Sequence, residues 1–428
     1  MNIIIPVETP NRELIYKSQL ASHLAHEGFD CYLTLKKFVP ELVENLSPCI
    51  YFDKGFHPGV SEKIHKQIKD RKGFIVSLDE EGAVDFPDFS TLENRYSETL
   101  FRNADLVFMW GKKQRDHFQA KYQTLSSERV IVSGHPRFDH LIQKTRRTLQ
   151  PVIEKIRAQY DSFILVNLNC GFGNNIKGDA FVRENYGPRV RHLAKIMAYD
   201  KFKLEEYLKL IRKLCAKTSH KIVVRPHPEE SLAPYQRALR AEIAAGKCVV
   251  TTEHSVLAWN AAAEFIIHPD CTSAVEAVLQ GKRPISFLPE HPQKIATQIP
   301  VDASTELNDI DSVLDAVSAK GEVAGPSDVQ EKLQSYFHLD GQSEQNIVSA
   351  IKKLNFATAG RRLPAGVKLK LFLRGKYDLL AKKRNTFVME KQKGFNLGAI
   401  RAAIESSDFK DSKITTLATD GCFLISHG

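Results

Sequence analysis

Four short stretches of this 428-residue chain bring together residue types that can do chemistry. The first is Arg225-Pro226-His227-Pro228. Arg supplies a permanent forked cation and His a donor, a combination suited to a phosphate or a nucleotide diphosphate-like group. The prolines stop the chain from continuing as strand or helix, so the imidazole is held on a stiff turn. A Pro-rich turn whose His caps a helix would read the same way. The chain holds five His-Pro pairs, at His57, His135, His227, His268 and His291, where composition predicts fewer than one. They cannot all be one site, so context must decide. The second stretch is Asp79-Glu80-Glu81-Gly82. Three adjacent acids repel one another, and at least one should resist ionising unless a cation or metal is close. Such a carboxylate can deprotonate a hydroxyl, and a positioned base contributes roughly 10²–10⁴ in rate. Gly82 allows close approach of backbone or ligand. An acidic helix N-terminus, favoured by the macrodipole, is the plainer reading.

The third stretch is Cys271-Thr272-Ser273-Ala274-Val275-Glu276. Hydroxyls and backbone N–H groups at a helix start form an anion cradle. Glu276 can accept hydrogen bonds from ribose hydroxyls. An N-cap at Thr272 or Ser273, with Glu276 completing a capping box, is compatible with that role. The fourth stretch, Asn167-Leu168-Asn169-Cys170-Gly171-Phe172-Gly173-Asn174, is rich in glycine and amides and reads as a cleft-lining loop or a plain turn. It is not GxGxxG, and no acid follows at the spacing a dinucleotide site needs. His135 and Arg137 are further cleft-lining candidates, and Asp139 is a secondary candidate beside Asp79. The absence of GxxxxGK[ST], HExxH and GxSxG leaves ATPase, zincin and α/β-hydrolase readings without support.

These residues need a scaffold, and the apolar pattern supplies one. Strand-like runs at 2–7, 31–35, 49–52, 74–78, 106–109 and 130–132 alternate with helical spacings at 12–27, 90–102 and 112–122. A helical connector over 146–159 leads to a second series. Its strands fall at 163–167, 222–224, 248–251, 265–267 and 284–287, with helices at 203–217, 234–245 and 274–280 between them. Alternation of this kind predicts parallel, doubly wound sheets. Each stretch above then ends a strand at the carboxyl edge, where open α/β sheets bind ligands. Past 330 the pattern weakens to helical stretches near 329–337 and 343–354.

The length predicts two domains. Hydrophobic content of 43% with 26% charged residues is that of a soluble globular chain. No run approaches the ~18 apolar residues of a membrane span. The start, Met1 to Pro6, lacks the basic region and long apolar core of a signal peptide and reads as a core strand. The seven cysteines are odd in number and scattered, without CxxC. That pattern predicts reduced thiols in a cytoplasm, neither a disulfide framework nor a structural zinc site. The formal charge of +9 favours acidic partners: nucleotides, an anionic membrane face, nucleic acid or an acidic glycan. Lys368 to Arg384 is densely basic through Lys370, Arg374, Lys376, Lys382 and Lys383, with Leu371, Phe372, Leu373, Tyr377, Leu379 and Leu380 interleaved. It reads either as an amphipathic surface for anionic lipid or as a solvated helix face.

In order along the chain, Glu80-Glu81-Gly82, His227-Pro228 and Thr272-Ser273 resemble the three motifs of bacterial sialyltransferases of GT-B fold. Over roughly residues 1–290 the chain is also similar to bacterial surface carbohydrate biosynthesis proteins. These share character with the Kdo transferases of capsule assembly and, at Arg-Pro-His-Pro, with CDP-glycerol glycerophosphotransferases. The similarity runs through Pro6-Val7-Glu8-Thr9, Arg12-Glu13-Leu14, Leu78 to Gly82, Gly134 to Asp139, Val224 to Pro228 and Cys271 to Ala277. His135 stands where that family often has Asn.

The resemblance implies a GT-B fold: a Rossmann-like acceptor-side domain over 1–155, a nucleotide-sugar-binding domain over 156–330, and a basic helical segment over 331–428 that packs back on the first domain. It implies a cytoplasmic, membrane-peripheral glycosyltransferase moving a Kdo- or sialic-acid-like sugar from a CMP-activated donor to a glycan or lipid-linked acceptor, without metal, cofactor or nucleic acid. Arg225 and His227, on the turn closed by Pro228, would neutralise the donor phosphate. Thr272 and Ser273 would bind the nucleotide and Glu276 the ribose. Glu80 or Glu81 would activate the acceptor, or act as nucleophile if the sugar configuration is retained. Alternatives are a CDP-linked polyol-phosphate transferase, a UDP-N-acetylhexosamine 2-epimerase-like enzyme, and a non-catalytic scaffold that binds nucleotide or membrane.

Overall fold

The opening run Asn2-Ile3-Ile4-Ile5-Pro6-Val7 forms β1 (Asn2–Val7), buried along its whole length. A parallel strand covered by helices on both faces must be apolar on both. In the computed structural model, residues 1–57, 59–82, 85–86, 89–122, 126, 128–143, 145–188, 190–318, 329–356, 360–382 and 394–428 are described. They divide into two units. Unit 1 comprises Met1–Glu81, Arg95–Thr148 and Tyr336–Gly428, and unit 2 comprises Gly82–Asn94 and Leu149–Ser335.

In unit 1, β1 is followed by β2 (Asp30–Leu35), β3 (Ile50–Asp53), β4 (Phe74–Leu78), β5 (Leu106–Met109) and β6 (Val130–Val132). In unit 2 the strands are β7 (Phe163–Asn167), β8 (Lys221–Arg225), β9 (Cys248–Val250), β10 (Phe265–His268), β11 (Ile285–Phe287) and β12 (Thr305–Leu307). The chain returns to unit 1 with β13 (Lys413–Ala418) and β14 (Cys422–Ser426). Among the described residues the first sheet runs β13-β14-β2-β1-β3-β4-β5-β6 and the second β12-β11-β10-β7-β8-β9. Every pairing is parallel except β13–β14 and β14–β2. In each sheet the strand order reverses beside the first strand, between β1 and β3 and between β7 and β10. Such switch points open a crevice at the carboxyl edge.

The second sheet shows how sequence alternation builds its two layers. Ile164, Val166, Ile222 and Val224 pack with Tyr207, Leu210, Ile211 and Leu214 of the helix Leu193–Lys217. Phe163, Leu165 and Val223 pack with Ile153 and Ile156 of the helix Thr145–Tyr160 and with Trp259. Period-2 alternation within continuously apolar strands therefore serves two cores.

The structure departs from the sequence reading where side-chain caps or turns interrupt a pattern. The helix expected over 90–102 is two helices, Ser90–Arg95 and Glu98–Asn103, because Ser97 caps the second by accepting from the Leu100 N–H. The helix expected over 234–245 breaks at Leu239. The C-terminal region, expected to be helical, also carries the β13–β14 hairpin, which pairs along β2 from Cys422↔Thr34 to Ile425↔Cys31. Its turn is Thr419-Asp420-Gly421, with Asp420 at φ +49, and contains an Asp-Gly hairpin signal that the helical reading passed over. Gly134 has φ +75, and an added Cβ would collide with Ser343 and the His338 carbonyl. No other residue fits where the loop before His135 meets the chain's return.

Candidate functional site

Three of the four sequence stretches meet on unit 2. The strand order β10-β7-β8 puts the ends of three neighbouring strands side by side, with Asn167 in register with Arg225. The Asn167 amide donates to Ser273 Oγ at 3.3 Å and to Asn260 Oδ1 at 3.1 Å, tying the end of β7 to the loop after β10. Arg225 donates to the carbonyls of His254 (3.0 Å) and Glu253 (3.4 Å), and its guanidinium lies 5.9 Å from the Trp259 ring. Its Nε is buried without a hydrogen-bond partner among the described residues. Burial with no nearby carboxylate lowers the guanidinium to about 10, so it remains a cation at neutral pH. A partly buried cation whose described hydrogen bonds go to carbonyl dipoles is an incomplete anion site.

His227 is exposed beside it. Its Nδ1 accepts the Glu229 N–H at 3.3 Å, which leaves the ring proton on Nε2. The same device recurs at other His-Pro pairs. His135 Nδ1 accepts from the Arg137 N–H, His291 Nδ1 from the Gln293 N–H, and His268 Nδ1 from the Cys271 N–H. The repeated dipeptide is thus a turn-capping unit. His135 and His268 are buried, and His57 and His291 half-buried; His227 alone is exposed. Gly171 lies against its ring, and an added Cβ there would sit 3.7 Å from Nδ1. Pro228 is exposed on the same turn.

Two buried anchors hold these loops, and sequence reading missed both. Glu230 accepts the N–H groups of His227 (2.9 Å) and Cys170 (3.0 Å), the Asn174 amide, and the Tyr235 hydroxyl. Lys203 reaches Asp200 (3.0 Å), Asp270 (3.2 Å) and Asn169 (3.4 Å). Asp200 in turn accepts from the N–H groups of Phe172 and Gly173, and Asn169 donates to Asp270 at 2.9 Å. The Thr272 side chain makes no capping bond. The N–H groups of Ala274, Val275 and Glu276 are taken by the Cys271 and Thr272 carbonyls. Ser273 and Glu276 are buried, and Glu276 has partners of its own.

On unit 1 the acidic triplet lies at the end of β4, one strand beyond the pair between which that sheet's order reverses, and cations surround it. Asp79 is buried and gripped by Arg95 Nε at 2.7 and 2.9 Å. Burial raises its carboxyl, against the pull of Arg95. Glu80 accepts from Lys17 Nζ at 2.7 Å and from the Tyr16 hydroxyl. Lys17 also reaches Glu13 (2.7 Å) and the Pro6 carbonyl (2.8 Å), and Lys54 binds Glu8 and Glu13. Burial would raise Glu80, but Lys17 and Lys54 hold it below its ordinary value. Glu81 bonds Arg95 at 2.9 Å and Arg12 at 3.1 Å, and these hold it well below the carboxylate range against the effect of burial.

The two candidate bases differ in access. The Glu80 side chain is 1% exposed and the Glu81 side chain 41%. His135 is buried between Trp110 (4.3 Å) and Tyr16 (5.0 Å), with Nε2 3.8 Å from Glu80 Oε2. Arg137, also buried, lies 5.5 Å from the Trp110 ring. Asp139 accepts from the Ser343 N–H (2.6 Å) and hydroxyl (2.9 Å), which joins the helix Pro136–Gln143 to the helix Ser343–Lys352.

The arrangement of strands has counterparts among solved structures. The chain is similar in structure to the UDP-GlcNAc 2-epimerase of Methanocaldococcus jannaschii, solved with UDP-GlcNAc and UDP. The TM-score is 0.52 at 12% identity, over 82% of this chain and 99% of that one. It is similar to S. aureus MnaA solved with UDP (0.52, 14%, 82% and 96%) and to a further UDP-N-acetylglucosamine 2-epimerase (0.52, 13%, 84% and 98%). The fold is GT-B-like. No protein-family model matches the chain, and no curated protein matches its sequence. Among the described residues, no helix is long and apolar enough to cross a membrane, and no group of three His, Cys, Asp or Glu side chains is placed to hold a metal ion.

Proposed function

We propose that this chain is a nucleotide-sugar-dependent glycosyltransferase of surface-polysaccharide assembly, transferring a Kdo- or sialic-acid-like sugar from a CMP-activated donor to a glycan or lipid-linked acceptor. The observation that carries the reading is Arg225, a cation without a carboxylate partner among the described residues, on the same strand end as the exposed His227. A nucleotide phosphate completes that site. As the sugar leaves, charge grows on the phosphate, and preorganised donors stabilise it there. The Thr272 hydroxyl is free of capping duty and suits the same group. Ser273 acts through Asn167, which it anchors. Glu276 needs a rearrangement to reach a ribose, because it is buried.

At the acceptor end, exposure favours Glu81 over Glu80 as the carboxylate that meets the hydroxyl. Its low basicity requires Arg12 or Arg95 to be drawn away before it accepts a proton. A CMP leaving group carries one phosphate, which Arg225 and His227 balance without a metal, so activity should survive EDTA. A second reading, a UDP-sugar enzyme of 2-epimerase type, takes its support from the structural neighbours solved with UDP.

Calorimetric titration with CMP, CDP, UDP and GDP, alongside His227→Ala, separates the readings. Selective CMP binding weakened at least about ten-fold in the variant, equivalent to one good hydrogen bond, is the expected result. Preference for CDP would point to a polyol-phosphate transferase. Preference for UDP would favour the epimerase-like reading, and no binding at all would overturn the site.

A further inference from the structure

The helix Ala365–Lys382 of unit 1 has two opposite apolar faces. One is an inner seam. Val367, Leu371, Gly375 and Asp378 recur at helical spacing and are buried or half-buried. Gly375 lets the helix approach closely, since an added Cβ would sit 2.9 Å from the Thr419 nitrogen, and Asp378 pairs with Lys37 at 2.7 Å. The other face points outward. Leu369, Leu373 and Tyr377 follow one another at i, i+4 and i+8 and are 58%, 57% and 72% exposed. Phe372 and Leu379 are exposed on its flank. A globular surface rarely leaves such a stripe uncovered without a use for it.

The stripe is set in positive charge. Lys368 and Lys376 are exposed beside it, while Lys370 and Arg374 are held over Glu41 and Phe38. From Arg361 to Lys393 the sequence has eleven basic residues against two acidic ones, a net of +9. That equals the formal charge of the whole chain, so everything outside this stretch is balanced. Lys383 and Arg384, part of the basic run, lie outside the described residues.

We infer that this helix seats unit 1 on an anionic membrane surface, lying in the interface with Leu369, Leu373 and Tyr377 among the acyl chains and the basic residues at the headgroups. An apolar stripe flanked by lysines is what an interfacial helix requires. At ~1.5 Å per residue it is about 27 Å long and lies flat. A nucleic acid would meet the charge but leave the leucines wet. The inference does not depend on which nucleotide unit 2 binds.

The test is flotation of the full chain with vesicles of 70% phosphatidylcholine and 30% phosphatidylglycerol, or of phosphatidylcholine alone. The chain should float with the anionic vesicles only. Leu369→Ser with Leu373→Ser should cut the bound fraction at least about ten-fold. Lys368→Gln with Lys376→Gln should cut it by about five-fold per lysine. Each variant should keep the wild-type melting temperature, because neither pair of side chains touches the inner seam. Three results would overturn the inference. One is failure to bind either vesicle. Another is retention of anionic binding by the leucine variant together with equal affinity for single-stranded nucleic acid, which would make the patch a nucleic-acid site. The third is a dimer in size exclusion that the leucine variant dissolves, which would make the stripe a self-association face.

Discussion

Adjacent acids in one triplet have different fates, set by which cation each meets. Glu80 is locked into a buried network with Lys17, Tyr16 and Glu13, and Glu81 is clamped at the surface by Arg12 and Arg95. Glu80→Gln leaves Lys17 with one fewer counter-charge in the interior and should cost about 3 kcal/mol by denaturant melts. Glu81→Gln should leave stability within about 0.5 kcal/mol while abolishing turnover, since exposed pairs contribute little. Because Lys17 and Lys54 depress the Glu80 carboxyl, its contribution is present above the unfolded carboxylate range and is lost as pH falls through its folded value. Acid melts of wild type and Glu80→Gln should therefore converge below about pH 4. Equal stability of the two at pH 7 would remove Lys17–Glu80 as a structural pair. On unit 2, Glu230 positions His227 through its backbone N–H. Glu230→Gln should weaken nucleotide binding about ten-fold with the His227 side chain intact. Tyr235→Phe, which removes a partner of the other Glu230 oxygen, should not. Equal loss in both variants would show that Glu230 matters only for folding.

At the scale of elements, Asp139 links two helices of unit 1. Burial raises its carboxyl to about 7 against the bonds from Ser343. A folded value above the unfolded one of about 3.9 binds the proton more tightly in the native state. The protonated form therefore stabilises below about pH 4, and that contribution is lost as pH rises through about 7. Asp340 and Glu344 add their own repulsion, and each faces a histidine, His338 and His23 respectively. Asp139→Asn keeps an acceptor and stays neutral. The unfolding free energy of wild type minus that of the variant, from denaturant melts, should decline from pH 5 to about pH 7, by at most about 1.4 kcal/mol per pH unit, and level off above. A flat difference would show that Asp139 is ionised throughout.

At the scale of the molecule, each unit has its own sheet and core, and the nucleotide candidates all lie in unit 2. Calorimetry should resolve two unfolding transitions. CMP at a hundred times its Kd should add about 2.7 kcal/mol to one of them. His227→Ala, binding about ten-fold more weakly, should cut that shift to about 1.4 kcal/mol or less and leave the other transition in place. A single transition moved as a block by nucleotide would show that the two units melt together.

The apolar runs determined the parallel strands and the ends at which Arg225, Asn167 and Asp79 stand, because a strand covered on both faces has to be continuously hydrophobic. Motif order was likewise legible: Asn167, Arg225 and Ser273 do converge, since neighbouring parallel strands align their carboxyl ends. Other features were decided only by folding. The His-Pro enrichment left open which pair, if any, does chemistry; the structure shows turn capping at four of the five, and exposure sets His227 apart. Glu230, Lys203, Lys17 and Arg95 carried no motif, because the partners that tie them to the site loops, Cys170, Asp270, Glu80 and Asp79, are reached through space from 16 to 67 residues away. The basic helix near the C-terminus was visible as composition. Which of its leucines face the sheet and which face outward depended on β13 and β14, a hairpin whose partner strand, β2, lies almost four hundred residues away.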